Sequence, residues 1–230
     1  MKKIFTGLVA AMALASTVQA ADVTGTVSFT NDYRFRGISQ SAGDPAVQGS
    51  LDVAFENGVY AGVWGSNVDF GDDDAKLEID YYVGFANDIN DNLSYDVSYG
   101  FYTYPGYNTD AEYGELALAL YYGDFGFTMA YSDDFFNSGE SAQYYSIDYS
   151  HGITEEVSLD LHAGYSTGDY WDGTTDINDY QDYSVGISGS AIGLDLSAVY
   201  LFNSIDSVDE TDSGAFRNDN TLLLTVSRTF

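Results

Sequence analysis

The 230-residue chain contains no cysteine, two prolines and few basic residues. The absence of cysteine excludes a disulfide framework, so an exported chain of this length must be stabilised by burial and hydrogen bonding. Two prolines are too few for an extended, proline-rich chain. Seven Lys and Arg against 36 Asp and Glu give a formal charge of −29. This acidity argues against nucleic acid or anionic lipid as a partner.

Aromatic residues, by contrast, are abundant, with 21 Tyr and 14 Phe. Disordered acidic chains are poor in aromatics, so the charge does not indicate disorder. Aromatics combined with Gly, Ser and Thr favour β structure. No stretch shows a sustained helical period, and we therefore predict an all-β protein.

The first twenty residues have the pattern of a cleaved secretory signal peptide. Lys2 and Lys3 precede an apolar run from Ile4 to Ala15, and small residues lead up to Ala20. This pattern is typical of an export signal, and the run is shorter than the roughly 20 residues of a spanning helix. We predict a signal peptide at 1–20 and a mature chain at 21–230, whose formal charge is −31 because two lysines are lost.

Apolar and polar residues alternate with a period of two along the whole mature chain. In LEIDYYVGF (77–85) the odd-numbered residues are apolar or aromatic, whereas Glu78 and Asp80 lie on the other face. Such runs predict about twelve strands, near 22–30, 46–56, 59–66, 76–86, 93–104, 112–122, 125–132, 142–151, 157–167, 181–190, 194–202 and 220–230. Their length of about 10 residues is typical of tilted membrane strands rather than soluble sheets.

The predicted connections differ in length. Asn57-Gly58 and Gly123-Asp124 are two-residue hairpin signals, and Ala191-Ile192-Gly193 is nearly as tight. The segments 31–45, 67–75, 133–141, 168–180 and 203–219 are longer, whereas 87–92 and 105–110 are similar in length. Short turns at one end and long loops at the other, with an even strand number, are typical of outer-membrane barrels. The Asn57-Gly58 signal further predicts that Phe55 pairs with Tyr60 on the apolar face.

Aromatic residues at the predicted strand ends form two groups, which we interpret as interfacial girdles. The predicted outer girdle is Tyr102, Tyr104, Tyr131, Phe135, Tyr170, Trp171, Tyr200 and Phe202, and the inner one is Phe55, Tyr60, Phe85, Tyr122, Phe125 and Phe230. The chain ends in the alternating run LLLTVSRTF, so Phe230 is predicted to end the closing strand at the periplasmic interface. A terminal aromatic resembles the assembly signal of outer-membrane barrels, although Arg228 stands where they usually have Tyr.

Carboxylates lie on the faces opposite the apolar ones. The candidate pore-lining residues are Asp52, Glu78, Asp80, Asp96, Glu115, Asp148, Asp160, Asp182 and Asp195. Inward carboxylates lower the energy of cations and repel anions, as charged rings do in selective pores; alternatively they only keep the lumen hydrated. Eight strands are filled by side chains and 16–18 leave a wide channel, so twelve predict a narrow pore.

Two arginines stand out because bases are scarce. Arg34 and Arg36 follow the first predicted strand, at the predicted pore mouth. We favour a structural role, in which they hold the first long loop through charge-assisted hydrogen bonds to carboxylates. The alternative is that they form part of a constriction.

No pattern predicts catalysis, a cofactor or a metal site. Only His151 and His162 are available as histidine bases. Asp160 and Ser158 precede His162 on the same face of one strand at steps of about 7 Å, too far for a direct relay, so we predict a histidine of the lumen or the interface. The acidic clusters at 72–74, 133–134 and 206–212 lack EF-hand spacing, so solvated loops are favoured over divalent-ion bridges to lipopolysaccharide.

The segment NDYRFRGISQS (31–41), followed by SLDVAFENGVYAGVWGS (50–66), resembles the TorF-type porin family of acidic proteobacterial outer-membrane proteins. The specific part of the resemblance is Arg36-Gly37-Ile38-Ser39-Gln40-Ser41. It implies a barrel and a pore. It implies no particular substrate and carries over no catalytic residue.

Together these patterns predict a transmembrane antiparallel up-and-down β-barrel in the bacterial outer membrane. We predict a non-enzymatic channel for small hydrophilic solutes, with a preference for cations.

The expected partners are outer-membrane lipid and lipopolysaccharide, the barrel-assembly machinery, and the permeating solutes or cations; the oligomeric state is open between monomer and trimer. One alternative is a closed barrel acting through its acidic loops in adhesion or envelope stability, and another is a secreted soluble barrel with an interior ligand. Whether loop 203–219 folds inward and closes the pore is undetermined.

Overall fold

The computed structural model describes residues 21–71, 75–174, 177–205 and 215–230. The predicted signal peptide at 1–20 and the acidic clusters at 72–74 and 206–212 lie outside the described residues. Within these ranges no helix is both long enough and apolar enough to cross a membrane.

Twelve strands of the described chain close into one antiparallel barrel. They are β1 (Asp22–Thr30), β4 (Ala46–Ala54), β5 (Val59–Asn67), β6 (Leu77–Asn90), β7 (Leu93–Thr103), β8 (Tyr113–Tyr122), β9 (Phe125–Ser132), β10 (Ala142–Gly152), β11 (Val157–Thr167), β12 (Tyr180–Ala191), β13 (Leu194–Asn203) and β14 (Thr221–Thr229). Two short strands, β2 (Arg34–Phe35) and β3 (Ile38–Ser39), form a separate hairpin within the first loop. A 3₁₀ turn spans Phe135–Asn137 and a π-helical turn spans Tyr170–Thr174. The predicted fold class is confirmed.

The first and last strands close the barrel. Thr26 of β1 lies opposite Thr229 of β14. Beyond this pair, the Phe230 amide donates to the Gly25 carbonyl at 2.9 Å and the Gly25 amide donates back at 3.3 Å. Closure removes the unpaired edges that an open sheet would expose, so every barrel strand has two neighbours.

The connections separate cleanly into two ends. The start of β1 and the end of β14 lie at the turn end, with the short connections 55–58, 91–92, 123–124, 153–156 and 192–193. The loop end carries the longer connections 31–45, 68–76, 104–112, 133–141, 168–179 and 204–220. The segment 87–92 is not a long connection, because β6 continues to Asn90. Short turns and long loops therefore alternate around the whole barrel, as predicted.

The outer surface of the barrel is apolar. On β6, Tyr81 is 53% exposed whereas its neighbour Asp80 is 5% exposed. The same contrast recurs around the barrel, with exposed Val27, Phe29, Leu51, Leu118, Phe127, Ile147, Ile187 and Leu224. Alternation with the apolar residues outside and the polar residues inside is the arrangement that lipid requires of a spanning barrel.

The first turn differs from its prediction. Ala54, not Phe55, lies opposite Tyr60, while the Phe55 amide donates to the Val59 carbonyl at 2.9 Å. Gly58 has a φ of +91°, so the turn is a three-residue loop ending in a left-handed glycine rather than a two-residue turn. A slip of one residue transfers a strand's side chains to the other face. Tyr60 therefore points into the barrel, and the predicted pairing with Phe55 is wrong.

The predicted outer girdle is only partly correct. Tyr131 and Tyr200 are exposed on the outer surface, but Tyr104, Phe135 and Trp171 are buried. Tyr104 follows the end of β7, whereas Phe135 and Trp171 belong to loops that fold over the barrel mouth. Strand alternation does not extend into these loops, so their rings pack against one another instead of facing lipid.

Candidate functional site: an acidic lumen with a closed loop end

The β2–β3 hairpin lies inside the barrel at its loop end. At its tip the Arg36 side chain reaches Glu115 on β8 and lies over the Tyr144 ring on β10, 4.4 Å from the ring centroid. The Tyr180 hydroxyl on β12 donates to the Arg36 carbonyl at 2.9 Å. Contacts with strands this far apart around the barrel place the hairpin tip across its interior.

The conformation of the tip is a tight two-residue turn. Phe35 pairs with Ile38, and the intervening Arg36 and Gly37 have φ values of +50° and +86°. Two successive positive φ angles are typical of a type I′ turn, which matches the twist of the flanking strands and favours glycine at its second position. Arg36 adopts this conformation at a cost of about 1–2 kcal/mol, which its contacts inside the barrel offset.

Arg36 and Glu115 form a buried ion pair. Arg36 Nη2 lies 2.6 Å from both carboxylate oxygens of Glu115, and the side chains are 8% and 6% exposed. Burial lowers the pKa of Arg36, but the Glu115 carboxylate more than offsets this and holds that pKa above its ordinary value. The guanidinium therefore remains charged, and it also lies over the Phe35 ring at 4.6 Å.

Arg34 holds the base of the hairpin. Its Nε donates to Asp32 at 2.5 Å, and its Nη2 lies 3.3 Å from an Asp219 oxygen. The Ser39 amide donates to the Arg217 carbonyl at 2.8 Å, so the described end of loop 204–220 lies against the hairpin. Burial raises the pKa of Asp219, but the charges of Arg34 and Arg217 lower it by more, so this pKa lies below its ordinary value.

Aromatic rings pack around the hairpin. The Phe135 centroid lies 4.7 Å from Tyr113 and 4.9 Å from Tyr170, and Tyr102 stacks on Tyr113 at 4.5 Å. The hairpin and this cluster, which also includes Tyr33, Ile38, Val68, Phe70, Tyr104, Trp171 and Tyr180, form the hydrophobic core of the protein. We call residues 31–45 together with these rings the closure, because they occupy the loop end of the barrel.

The nine predicted pore-lining carboxylates all belong to the inward faces of their strands. Asp52, Glu78, Asp80, Asp96, Glu115 and Asp182 are buried, and Asp148, Asp160 and Asp195 are half-buried. Glu115 binds the hairpin, so it belongs to the closure. The other eight surround the interior from β4 to β13.

Several of these carboxylates accept hydrogen bonds from phenols that sequence reasoning did not assign to them. The Tyr60 hydroxyl donates to both oxygens of Asp96 at 2.8 Å, and Tyr82 donates to Asp52. Tyr82 was recognisable as inward from its alternation with Tyr81. Tyr60 was not, because its face depended on the register of the first turn.

His162 joins three neighbours on adjacent strands. Its Nδ1 lies 2.6 Å from Asp148, and its Nε2 lies 3.0 Å from Asp182 and 2.9 Å from the Tyr144 hydroxyl. Sequence reasoning considered Asp160 and Ser158 on the same strand, whereas cross-strand neighbours are closer. Among the described residues the partners of His162 are the carboxylates of Asp148 and Asp182 and the phenol of Tyr144.

Carboxyl groups outnumber basic side chains inside the barrel. Among the described residues, Arg36 and His162 face the nine inward carboxylates, and Arg34 is buried at the base of the hairpin in a pair with Asp32. Arg228 and His151 lie on outward faces, and Lys76 is exposed in a loop. No group of three or more His, Cys, Asp or Glu in the described ranges is arranged to hold a metal ion.

The architecture is that of porin-type barrels. It is similar to a solved NanC porin, with a TM-score of 0.56 and 10% identity over 90% of this chain and 98% of that one. It is also similar to a KdgM porin, with a TM-score of 0.55 and 8% identity over 91% of this chain and 99% of that one. At such low identity the likeness shows the fold alone.

The sequence assigns the chain to a family. A family model described as "Bacterial protein of unknown function (Gcw_chp)" matches residues 14–230, and the chain belongs to this family. No curated protein matches the sequence. The resemblance of 31–66 to the TorF-type porins is not tested by these comparisons and stays a prediction.

Proposed function

We propose that the protein is a bacterial outer-membrane channel for small hydrophilic solutes, with a preference for cations. The observation that carries the proposal is the excess of inward carboxylates: nine face the interior, against Arg36, His162 and the Asp32-paired Arg34 among the described residues. Walls of low dielectric strengthen such a field, so cations are concentrated and anions are repelled. The similarity of the fold to porins supports a channel, and the TorF-type resemblance at 31–66 agrees with it.

The surface supports the proposed location. Exposed apolar side chains surround the barrel, while the long loops lie at one end and the short turns at the other. In outer-membrane barrels the short turns face the periplasm and the long loops face outward. We further propose that the barrel-assembly machinery recognises Phe230 and that the loop end of the barrel contacts lipopolysaccharide. The choice between monomer and trimer is testable by cross-linking in membranes.

The proposed mechanism has two parts. From the turn end, solutes enter a lumen whose inward positions are mostly carboxylates, hydroxyls and small residues, such as Ser98, Ser184 and Ser188. At the loop end the closure fills the interior, and Arg36 anchors it to Glu115. Conduction therefore requires displacement or rearrangement of the hairpin, and the rate of that motion sets how often the channel is open.

The decisive experiment is the reversal potential of the refolded mature protein in a planar bilayer under a potassium chloride gradient. Stepwise currents with a cation-selective potential are the expected result. Steps with an anion-selective potential would keep the channel but remove the proposed role of the carboxylates. Heat-modifiable migration on gels verifies beforehand that the barrel is folded.

A second function is favoured by the closure itself. Phe135, Tyr113 and Tyr180 are almost fully buried, as expected of a permanently packed interior rather than of an open pore. We therefore retain a closed barrel that acts through its outer loops in adhesion or envelope stability as the alternative. A folded barrel that yields no current in the bilayer, even when the Arg36–Glu115 pair is broken, would favour this alternative over the channel.

A further inference from the structure

A cavity of about 270 Å³ lies within the closure. The hairpin contributes Phe35 and Ile38 to its wall, and loops at the barrel mouth contribute Phe135, Phe136 and Trp171. Nine of its fifteen lining residues are aromatic. A buried apolar cavity of about 150 Å³ is large enough to bind benzene, so this one has room for a larger ring system.

Several of the polar groups at the cavity are already engaged, including the Tyr180 hydroxyl, which donates to the Arg36 carbonyl at 2.9 Å. Arg36 reaches it, but both oxygens of Glu115 neutralise its guanidinium at 2.6 Å. The Gln40 side-chain amide donates to the Ile38 carbonyl at 3.3 Å. Thr109 is a further polar residue of the wall. The site therefore presents ring faces and edges, with few groups able to satisfy a polar ligand.

We propose that this cavity binds a neutral aromatic molecule of one or two rings. Ring faces and edges in the wall offer stacked and edge-to-face contacts, each of which stabilises an aromatic pair beyond simple burial. A single hydroxyl on the ligand can be accommodated beside Thr109 or Gln40. The inference is independent of conduction, because binding to the folded barrel requires no ion flow.

Three other ligand classes fit the cavity less well. A sugar ring would exchange the hydration of several hydroxyls for the fewer polar groups of a mostly aromatic wall, which is unfavourable. An organic anion would meet no free positive charge, since Arg36 is paired with Glu115. A long acyl chain exceeds the volume, and the outward faces that contact lipid do not contribute to the wall.

The two tryptophans of the chain allow a direct test in detergent micelles. Trp171 lines the cavity, whereas Trp64 packs against Tyr33 outside the set of lining residues. Trp64→Phe leaves Trp171 as the fluorophore, and Trp171→Phe leaves Trp64. The probe is 4-bromophenol, a phenol that is neutral at pH 7 and quenches fluorescence through its heavy atom. We expect saturable quenching of Trp171, and only weak, linear quenching of Trp64 that matches the partition of the probe into micelles.

A matched pair of cavity variants tests the location. Ala111 lines the cavity from the loop 104–112, and Ala119 on β8 is similarly buried but does not line it. In the Trp64→Phe background, Ala111→Leu should weaken binding by tenfold or more, and Ala119→Leu should change it by less than twofold. Heat-modifiable migration confirms that each variant is folded.

Competition with other small molecules tests the ligand class. Benzyl alcohol should displace 4-bromophenol, whereas glucose and benzoate should not. Linear quenching of equal strength in both single-tryptophan proteins would overturn the site. Displacement by benzoate would overturn its preference for neutral ligands, and displacement by glucose would overturn its aromatic character. The absence of channel current would leave this binding result unaffected, so the two proposals fail separately.

Discussion

Arg36 Nη2 lies 2.6 Å from both carboxylate oxygens of Glu115, although 79 positions separate the two residues in the chain. This contact joins the tip of the first loop to the wall of the barrel on β8. Removal of one partner from a buried ion pair leaves an uncompensated charge, at a cost of about 3–5 kcal/mol. The pair therefore anchors the tip of the hairpin to the barrel wall.

Glu115→Gln should release the hairpin. Arg36 would keep its charge without a carboxylate partner, so the closure should open more often and trypsin should cleave faster after Arg34 and Arg36. Cleavage rate and the frequency of current steps measure this. Glu112→Gln is the matched control, because Glu112 is exposed three residues earlier. Equal cleavage of the two variants would show that the pair does not hold the hairpin.

Gly37→Ala should also weaken the closure, for a steric reason. A methyl group on Gly37, which has a φ of +86°, would lie 2.9 Å from the Asp182 Cβ atom. Gly106 has a φ of +87° with open space around it, so Gly106→Ala shares the backbone strain of about 1–2 kcal/mol without the clash. We expect faster tryptic cleavage of the hairpin in Gly37→Ala alone. Similar rates in both variants would contradict the tight fit.

Neutralising lumen carboxylates should reduce cation selectivity. Asp148 and Asp160 are half-buried inward residues on β10 and β11. The double variant Asp148→Asn/Asp160→Asn should move the reversal potential towards zero, with little change in the size of the current steps. Asp133→Asn, which removes an exposed charge from an outer loop, should leave the potential unchanged. Equal shifts in both would assign the selectivity to the surface charge as a whole.

Lowering the pH should weaken the contact between Asp219 and Arg34 at the base of the hairpin. Its lowered pKa stabilises the closure above the ordinary value of 3.8, and this stabilisation is lost as the pH falls through the lower folded value. The side chain is about half exposed, so the effect stays below about 1 kcal/mol. Hydrogen exchange of segment 31–41 should be slower in wild type than in Asp219→Asn at pH 5–7, and the difference should shrink as the pH falls below 3.8. Asp110→Asn is the control.

A pH-independent difference in exchange between wild type and Asp219→Asn would contradict this role. It would mean that the substitution acts through local packing rather than through the charge of Asp219. An equal loss of protection in Asp110→Asn would point to the net charge of the loop end.

Phe230→Ala should reduce assembly in cells more than stability in detergent. Phe230 is exposed at the turn end, and its backbone already pairs with Gly25, so the ring adds little to the folded barrel. We expect a severalfold lower amount in the outer membrane and unchanged heat-modifiable migration after refolding in detergent. Phe125→Ala, at the same end of the barrel, is the matched control. Equal losses for both would indicate an interfacial effect rather than an assembly signal.

Much of the fold follows from local sequence. The alternation seen at Glu78 to Phe85 identifies a strand and its two faces, because successive side chains of a strand point to opposite sides. Gly123-Asp124 likewise predicted the pairing of Tyr122 with Phe125, which is confirmed. Repeated along the chain, these signals predicted twelve strands and the inward position of all nine carboxylates.

The sequence alone therefore determined the barrel, its faces and its excess of inward negative charge, since each depends on residues that are close along the chain. Tertiary structure decided the rest. Tyr60 changed face because a left-handed Gly58 lengthened the turn by one residue, and His162 found Asp148 and Asp182 on neighbouring strands rather than on its own. Arg36 meets Glu115, and Phe135 meets Tyr113, only after the barrel closes and the loops fold into it. Such contacts between distant segments leave no periodic trace, because they depend on the shape of the space that the closed barrel encloses.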